Sequence, residues 1–363
     1  MNSQTVPPVG RSHELEIANW NIEWFGKTSA GFGPGNDSLQ QRLVKNILKA
    51  SDIDVWVLCE VSDTGAFGRL MRQMPEYSSV LASYYPEQKT AILYKNNLYK
   101  GIYPQLLGTS NKDSFSTGRF PLKLSLVSLT PSPFDTIDII ALHLKANTGN
   151  DSLKNLAYQS RQRSAEWLKD YTYEQLPDKK FIMAGDWNDD LDVSIFNQLP
   201  SSLNPLKRNN GNGYFITDRL SAFHIPTTAT YPDAIDHQYI SNRLYDYYSK
   251  DSVFVWRTDQ YISNYASTVS DHFPVISRYN QRNYSIAENH KFKGIIYPNP
   301  AEKTIRIESK FRIQSVNLID FSGKTTALIN DGGIYNISQF EKGVYLLEIV
   351  SEEGVFTEKL SLL

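Results

Sequence analysis

From Leu15 onward the chain alternates apolar runs with segments in which apolar residues return every three or four positions. The runs Leu15–Trp20, Ile53–Cys59, Lys89–Tyr94, Pro121–Val127, Thr136–Leu144, Lys180–Ala184, Gln238–Ser241 and Phe273–Arg278 predict strands. Asp37 or Ser38 is expected to cap a helix through about Ala50, with Leu39, Leu43, Ile47 and Leu48 on one face. A second helix, Ser152 to about Tyr173, puts Leu153, Leu156, Ala157, Ser160, Ser164, Trp167, Leu168 and Tyr171 in its core stripe. Arg161 and Arg163 fall on its polar side and read as solvated charge. Strands linked by hairpins and helices predict an α/β domain of two sheets packed face to face, with helices outside.

The pattern changes twice. Residues 1–13 are polar and proline-bearing, which predicts a loose terminus before a main domain over residues 14–279. Residues 280–293 lose the apolar rhythm and read as a linker. Over 294–363 short strands return at Thr304–Glu308, Ser315–Asp320, Tyr335–Ile337, Val344–Val350 and Phe356–Leu360, separated by Ser322-Gly323-Lys324, Asp331-Gly332-Gly333 and Glu353-Gly354. That is a small all-β sandwich without histidine or clustered carboxylates, so chemistry belongs to the first domain.

The chain's 363 residues, 40% of them apolar, suffice for a large core and a second domain. A net charge of −2 excludes a strongly basic nucleic-acid coat and leaves the substrate open. Cys59 is the single cysteine, which rules out an internal disulfide framework, and its apolar run predicts a buried thiol. No apolar stretch of roughly eighteen residues occurs, so a membrane-spanning helix is excluded. Met1-Asn2-Ser3-Gln4-Thr5-Val6-Pro7-Pro8 is not a charged-then-apolar leader; either the protein is cytoplasmic or a leader has been removed.

Five short motifs lie at or near the predicted strand ends: Trp20-Asn21-Ile22-Glu23, Leu58-Cys59-Glu60, Gly185-Asp186-Trp187-Asn188, Ile235-Asp236-His237 and Ser270-Asp271-His272. Strand ends gather polar groups into a cleft, because strand interiors are committed to the core. Glu60, with Glu23 beside it, meets the sparse carboxylate demand of a Mg²⁺-like ion. Asp186 and Asn188 would face the same way if extended, one accepting a proton from water and the other donating to a phosphate oxygen. A calcium loop over Asp186, Asn188 and Asp190 is rejected, since Leu191 and Asn197 stand where glycine and glutamate are needed. Asp236 and His272 can pair, the acid fixing the ring tautomer, which frees Asp271 to orient water. His143 supplies a second imidazole. Gly31-Phe32-Gly33-Pro34-Gly35 matches neither phosphate-loop pattern and reads as a flexible loop.

These residues resemble the endonuclease/exonuclease/phosphatase superfamily, the group of deoxyribonuclease I, abasic-site endonucleases, inositol-phosphate phosphatases and sphingomyelinases. The resemblance covers about Leu15 to Tyr279. It implies a four-layered α/β sandwich and hydrolysis of phosphoesters with Mg²⁺ or Mn²⁺, with Ca²⁺ as a further choice. It further implies Glu60 as the principal metal ligand, with Glu23 and Asp271 beside it, and Asn21 and Asn188 as phosphate-site amides. Asp236 and His272 look like the catalytic pair, with Asp186 acting on water. His143 looks like the second catalytic histidine of the deoxyribonuclease I-like branch. Arg119, in Gly118-Arg119-Phe120-Pro121, is similar to a phosphate-contacting arginine.

The tail has its own likeness: Tyr297-Pro298-Asn299-Pro300-Ala301, Gly323-Lys324, Gly343-Val344-Tyr345 and Glu358-Lys359-Leu360 resemble the C-terminal sorting domain of the type IX secretion system of Bacteroidetes. That implies export to the exterior or outer surface of a Gram-negative cell, with the secretion machinery as partner. The sequence reading is therefore a secreted, monomeric nuclease acting on DNA or RNA. The alternatives are a lipid-headgroup phosphodiesterase or sugar- or inositol-phosphate phosphatase, for which Tyr84-Tyr85-Pro86 or Tyr245-Asp246-Tyr247-Tyr248 would form an exposed aromatic hairpin, and an adhesin that lost the chemistry.

Overall fold

The computed structural model describes residues 6–11, 14–116, 118–130, 132, 134–207, 212–280, 292, 294–320, 324–351 and 354–363. The chain divides into two compact units, residues 1–283 and 284–363.

In the first unit the strands are β1 (Glu14–Phe25), β2 (Val55–Val61), β3 (Tyr77–Leu81), β4 (Lys89–Lys95), β5 (Tyr99–Leu106), β6 (Leu122–Ser128), β7 (Thr136–His143), β8 (Phe181–Asp186), β9 (Gly213–Phe215), β10 (Asp236–Ser241), β11 (Phe254–Val255) and β12 (Val275–Asn280). They form two six-stranded sheets of order β11-β12-β1-β2-β4-β3 and β5-β6-β7-β8-β10-β9. Only β1–β2 and β7–β8 among these pairs run parallel. The expected two-sheet α/β architecture is the observed one.

Alternation along β1 explains the layering. Leu15 and Ile17 enter the core between the sheets, while Ala18, Trp20 and Ile22 enter a second core beneath α1 (Asp37–Ser51) and α2 (Thr64–Arg72). Asn36, not Asp37 or Ser38, caps α1 by accepting the Leu39 N–H. On the other sheet lies α3 (Asp151–Gln175), capped by Asn150. Its stripe corrects the expectation: Leu153 and Leu156 are more than half exposed, whereas Tyr158, Arg161 and Thr172 are buried.

Within the terminus expected to be loose, Val6 is buried and the Val9 and Gly10 N–H groups donate to Ser51 O, which holds residues 6–11 against the end of α1. Residues 1–5, 12 and 13 of that terminus, and 281–291 and 293 of the expected linker, lie outside the described residues.

The second unit is a sandwich of two four-stranded antiparallel sheets: β13 (Gly294–Tyr297), β14 (Thr304–Ser309), β18 (Ile334–Asn336), β17 (Asn330–Asp331), and β16 (Thr325–Leu328), β15 (Ile313–Ile319), β19 (Gly343–Ser351), β20 (Gly354–Leu362). Ile305, Ile307, Val316, Leu318, Tyr335, Leu347 and Ile349 fill its core. The turn expected at Asp331-Gly332-Gly333 is present, with both glycines left-handed. Residues 322, 323 and 353 of the two other expected turns lie outside the described residues.

Candidate active site

Strand register assembles half the site. His143 is the β7 partner of Asp186 on β8, and Asp186 in turn partners Asp236 on β10, so one row of the second sheet ends in imidazole, carboxylate, carboxylate. Gly185 allows this close pairing: a Cβ there would lie 1.9 Å from Leu142 O. The first sheet supplies the other half. Asn21 shares the inter-sheet face of β1 with Ile17 and reaches across, its Nδ2 donating to Glu60 Oε1 at 3.1 Å and Asp186 Oδ2 at 3.0 Å.

Alternation alone would turn Glu60 toward α1 and α2, with Trp56 and Leu58. Two irregularities redirect it. The β2–β4 register slips between Leu58 and Val61, and Glu60 takes a left-handed backbone (φ 64°). β1 likewise slips against β2 between Asn21 and Phe25, where Glu23 (φ 42°) and Trp24 (φ 49°) are left-handed. Non-glycine residues held this way concentrate at functional sites, because the surrounding contacts must overcome a local cost. Those contacts are present: Trp24 N–H donates to Glu60 Oε2 at 3.0 Å, and Gln40 Nε2 donates to Ile22 O, Glu23 O and Val269 O.

Asn188 corrects the expectation of an extended Asp186–Asn188 pair. It too is left-handed (φ 55°); its N–H donates to Asp186 Oδ1 at 3.0 Å and its side chain to Leu144 O at 3.2 Å. The loop thereby curls around Asp186 and ties it to the segment after His143.

The two histidines occupy opposite electrostatic settings. His143 is buried, with Arg119 Nη1 at 3.0 Å from its Nδ1. Burial, then the Arg119 charge, then His272, holds its pKa well below the ordinary imidazole value, so the ring is neutral. His272 donates from Nδ1 to Asp236 Oδ2 at 2.8 Å. Burial alone would lower its pKa, but the charges of Asp236, Asp186 and Asp271 and the Asp236 bond together raise it well above that value. Asp186 lies between the rings, its Oδ2 at 3.5 Å from His143 Nε2 and 4.0 Å from His272 Nε2. Burial lifts its pKa to about 7, with His272 lowering it and Asp236 raising it. Glu23 is also lifted to about 7, by burial and then by Asp271, whose N–H donates to Glu23 Oε2 at 2.9 Å.

For a divalent cation, Glu60, His143 and Asp186 present donor atoms all within 4.8 Å of one another. The two carboxylates suit a hard ion of Mg²⁺ type, which prefers few protein oxygens and several waters. Of the expected metal residues only Glu60 is in this cluster; Glu23 accepts the backbone N–H of Asp271 instead. Arg119 is not free for a ligand alone: it also donates to Gln88 Oε1 at 2.8 Å and Leu144 O at 3.1 Å.

Several residues that shape the site carry no sequence signal. Thr227 is fully buried and its hydroxyl donates to Asp236 Oδ2 at 2.8 Å, and Thr227 O accepts the Phe273 N–H. Arg161 overturns its reading as solvated charge. It is 0% exposed, donates to Lys145 O at 2.8 Å and lies 3.7 Å from the equally buried Asp189. One guanidinium thus braces the chain after His143 and the chain after Asp186. Arg163 is exposed, as expected.

The sequence matches the model of the "Endonuclease/Exonuclease/phosphatase family" over residues 18–272, and that of the "Secretion system C-terminal sorting domain" over residues 295–362. No curated protein matches it. Similar solved structures include D. rerio TDP2 complexed with single strand DNA product, at 15% identity and TM-score 0.52, covering 74% of this chain and 99% of that one. An endonuclease/exonuclease/phosphatase from Bacteroides vulgatus gives 14%, 0.52, 74% and 99% by the same measures. The human Nocturnin catalytic domain with bound sulfate gives 16%, 0.50, 74% and 94%. At these identities the structural likeness shows a shared fold.

Proposed function

Because this chain belongs to the endonuclease/exonuclease/phosphatase family, we propose that its metal-dependent phosphoesterase site acts on the phosphodiester bonds of nucleic acid. The sorting domain directs the protein to the cell exterior or surface, so the nucleic acid is extracellular DNA or RNA.

The observation that carries the reading is the split between the two imidazoles. Phosphodiester hydrolysis needs a proton taken from the attacking water and one given to the leaving oxygen, and groups whose environments push their pKa values apart serve as base and acid. Asp186, near neutrality, is placed to accept the water proton. His272, kept protonated by Asp236, is placed to stabilise phosphate charge or donate to the leaving oxygen. Neutral His143, fixed by Arg119, orients groups beside Asp186. A bound Mg²⁺ or Mn²⁺ would supply Lewis-acid neutralisation of the phosphate charge, with Glu60 as the residue that would hold it. In this reading Glu23 and Asp271 orient water at the cation, and Asn21 and Asn188 exchange their present bonds for phosphate oxygens.

The lipid alternative has weaker support. Of its candidate hairpin, Tyr84 is buried and only Tyr85 is fully exposed, while Tyr245, Tyr247 and Tyr248 pack against the inter-sheet core. The deciding assay incubates the full chain with Mg²⁺ or with chelator against plasmid, single-stranded DNA, RNA, sphingomyelin and inositol phosphates. Metal-dependent cleavage of nucleic acid is expected, with His143→Ala and His272→Ala each losing at least about 10²-fold in rate. Turnover confined to sphingomyelin or inositol phosphates would refute the assignment.

A further inference from the structure

Beside Glu60 lies an aromatic feature that the chemistry above does not use. Trp24 sits on the left-handed backbone next to Glu23, and its N–H bond to Glu60 Oε2 indexes the residue to that carboxylate. Phe32, from the glycine-rich run after β1, folds back so that the two ring centroids are 4.7 Å apart with planes at 59°. Gly33 permits the return: it has φ 63°, and a Cβ there would lie 2.9 Å from Glu23 O. Lys27 reaches over the Phe32 ring, 5.6 Å from its centroid, and pairs with Glu87 at 2.6 Å.

Core packing does not account for this pair. Trp24 is half-buried, Phe32 is 42% exposed, and neither ring belongs to the two cores of the first unit. Holding exposed aromatic surface on a strained backbone next to a reactive carboxylate is costly without a ligand to cover it.

We propose that Trp24, backed by Phe32, is a stacking platform for an unpaired nucleobase adjoining the phosphate that is cleaved. The inference rests on the phosphodiesterase reading and narrows its substrate to single strands or frayed ends. A base inside a duplex has both faces covered by its neighbours, whereas an unstacked base offers a flat π-face, and every base has one, so the platform is sequence-tolerant. Lys27 is the cation at its rim, available to a flanking backbone phosphate in exchange for Glu87.

The test measures anisotropy of a labelled oligothymidylate, and of an abasic strand of equal length and charge, on the full chain in chelator, where no turnover occurs. Wild type should prefer the base-bearing strand by roughly 5- to 150-fold, the range of one stacked base. Trp24→Ala should erase that preference and keep the abasic affinity, which also reports that the variant is folded; Trp24→Phe should restore most of it. An unchanged preference in Trp24→Ala, or none in wild type, overturns the platform. Cleavage of the same strands by wild type in Mg²⁺ is scored separately. If wild type cleaves while Trp24→Ala keeps its preference, only the platform fails. If wild type cleaves no nucleic acid, the phosphodiesterase reading fails. Binding to sphingomyelin vesicles that Trp24→Ala abolishes would overturn the platform in favour of a membrane surface.

Discussion

Replacing Arg161 by Met keeps the length of the side chain in α3 and removes the guanidinium. Were Arg161 a solvated charge, the cost would stay within about 0.5 kcal/mol. The structure demands far more. Arg161 and Asp189 are both 0% exposed at their side chains, and removing one partner of a buried pair costs about 3–5 kcal/mol. Two details adjust that figure in opposite directions. Asp189 keeps donors from Ser194 Oγ, Ile195 N and Ser202 N, so its carboxylate is not stranded. The Ser202 hydroxyl, however, loses its buried contact with Arg161 Nε, and a hydrogen bond to a charged group is worth about 1.5–3 kcal/mol. We therefore expect about 3–5 kcal/mol overall. Denaturant unfolding followed by tryptophan fluorescence isolates the first unit, because Trp20, Trp24, Trp56, Trp167, Trp187 and Trp256 are the chain's six tryptophans and all precede residue 283. A double-mutant cycle with Asp189→Asn should show coupling of about 1 kcal/mol or more, as for residues in one network. A loss below about 1 kcal/mol for Arg161→Met, well under the buried-pair range, would refute the bracing role.

Asp236→Asn should leave the fold in place and lower the hydrolysis rate by about 10²–10⁴-fold, since the amide neither fixes the His272 tautomer nor holds its charge; a rate within threefold of wild type, by steady-state assay, would detach the pair from the chemistry. Asp186 and Glu23, both lifted to about 7, must lose their protons to work, so activity should rise with pH through that region. A cation beside them favours the carboxylate forms, and the acidic limb of kcat/KM should therefore move to lower pH as Mg²⁺ increases, whereas a limb independent of Mg²⁺ would count against these acids.

The strands that build the centre of the domain were legible because their residues are buried on both faces and form unbroken apolar runs. β3 and β5 were not, because each is a sheet edge with mixed exposure, and β5 carries Pro104, which an edge tolerates. The five motifs were legible from residue type at strand ends. The backbone that aims them was hidden: no glycine marks the left-handed turns at Glu23, Glu60 and Asn188, which are held by the bonds that Gln40 and Trp24 donate to Glu23 O and Glu60 and that Asn188 donates to Leu144 O. Arg161 was misplaced for a related reason. Helical period puts it on the face of Ala157, Ser164 and Leu168, four residues after the first and seven before the last; its charge argued for solvent, and the buried partner Asp189 that overrides that argument lies far along the chain. Thr227 and Gln40 are neutral, unremarkable residues whose roles arise wholly from tertiary approach.

The pairing of β1 with β12 joins the beginning and the end of the first unit, and His272 lies just before that last strand. A nascent chain halted on the ribosome anywhere before residue 272 lacks both an imidazole and the strand that flanks β1. In the proposed mechanism, hydrolytic capacity thus has no partial form during synthesis. With His272 in its proposed role, activity follows only after the closing strand has been made, and no shorter fragment carries the complete site.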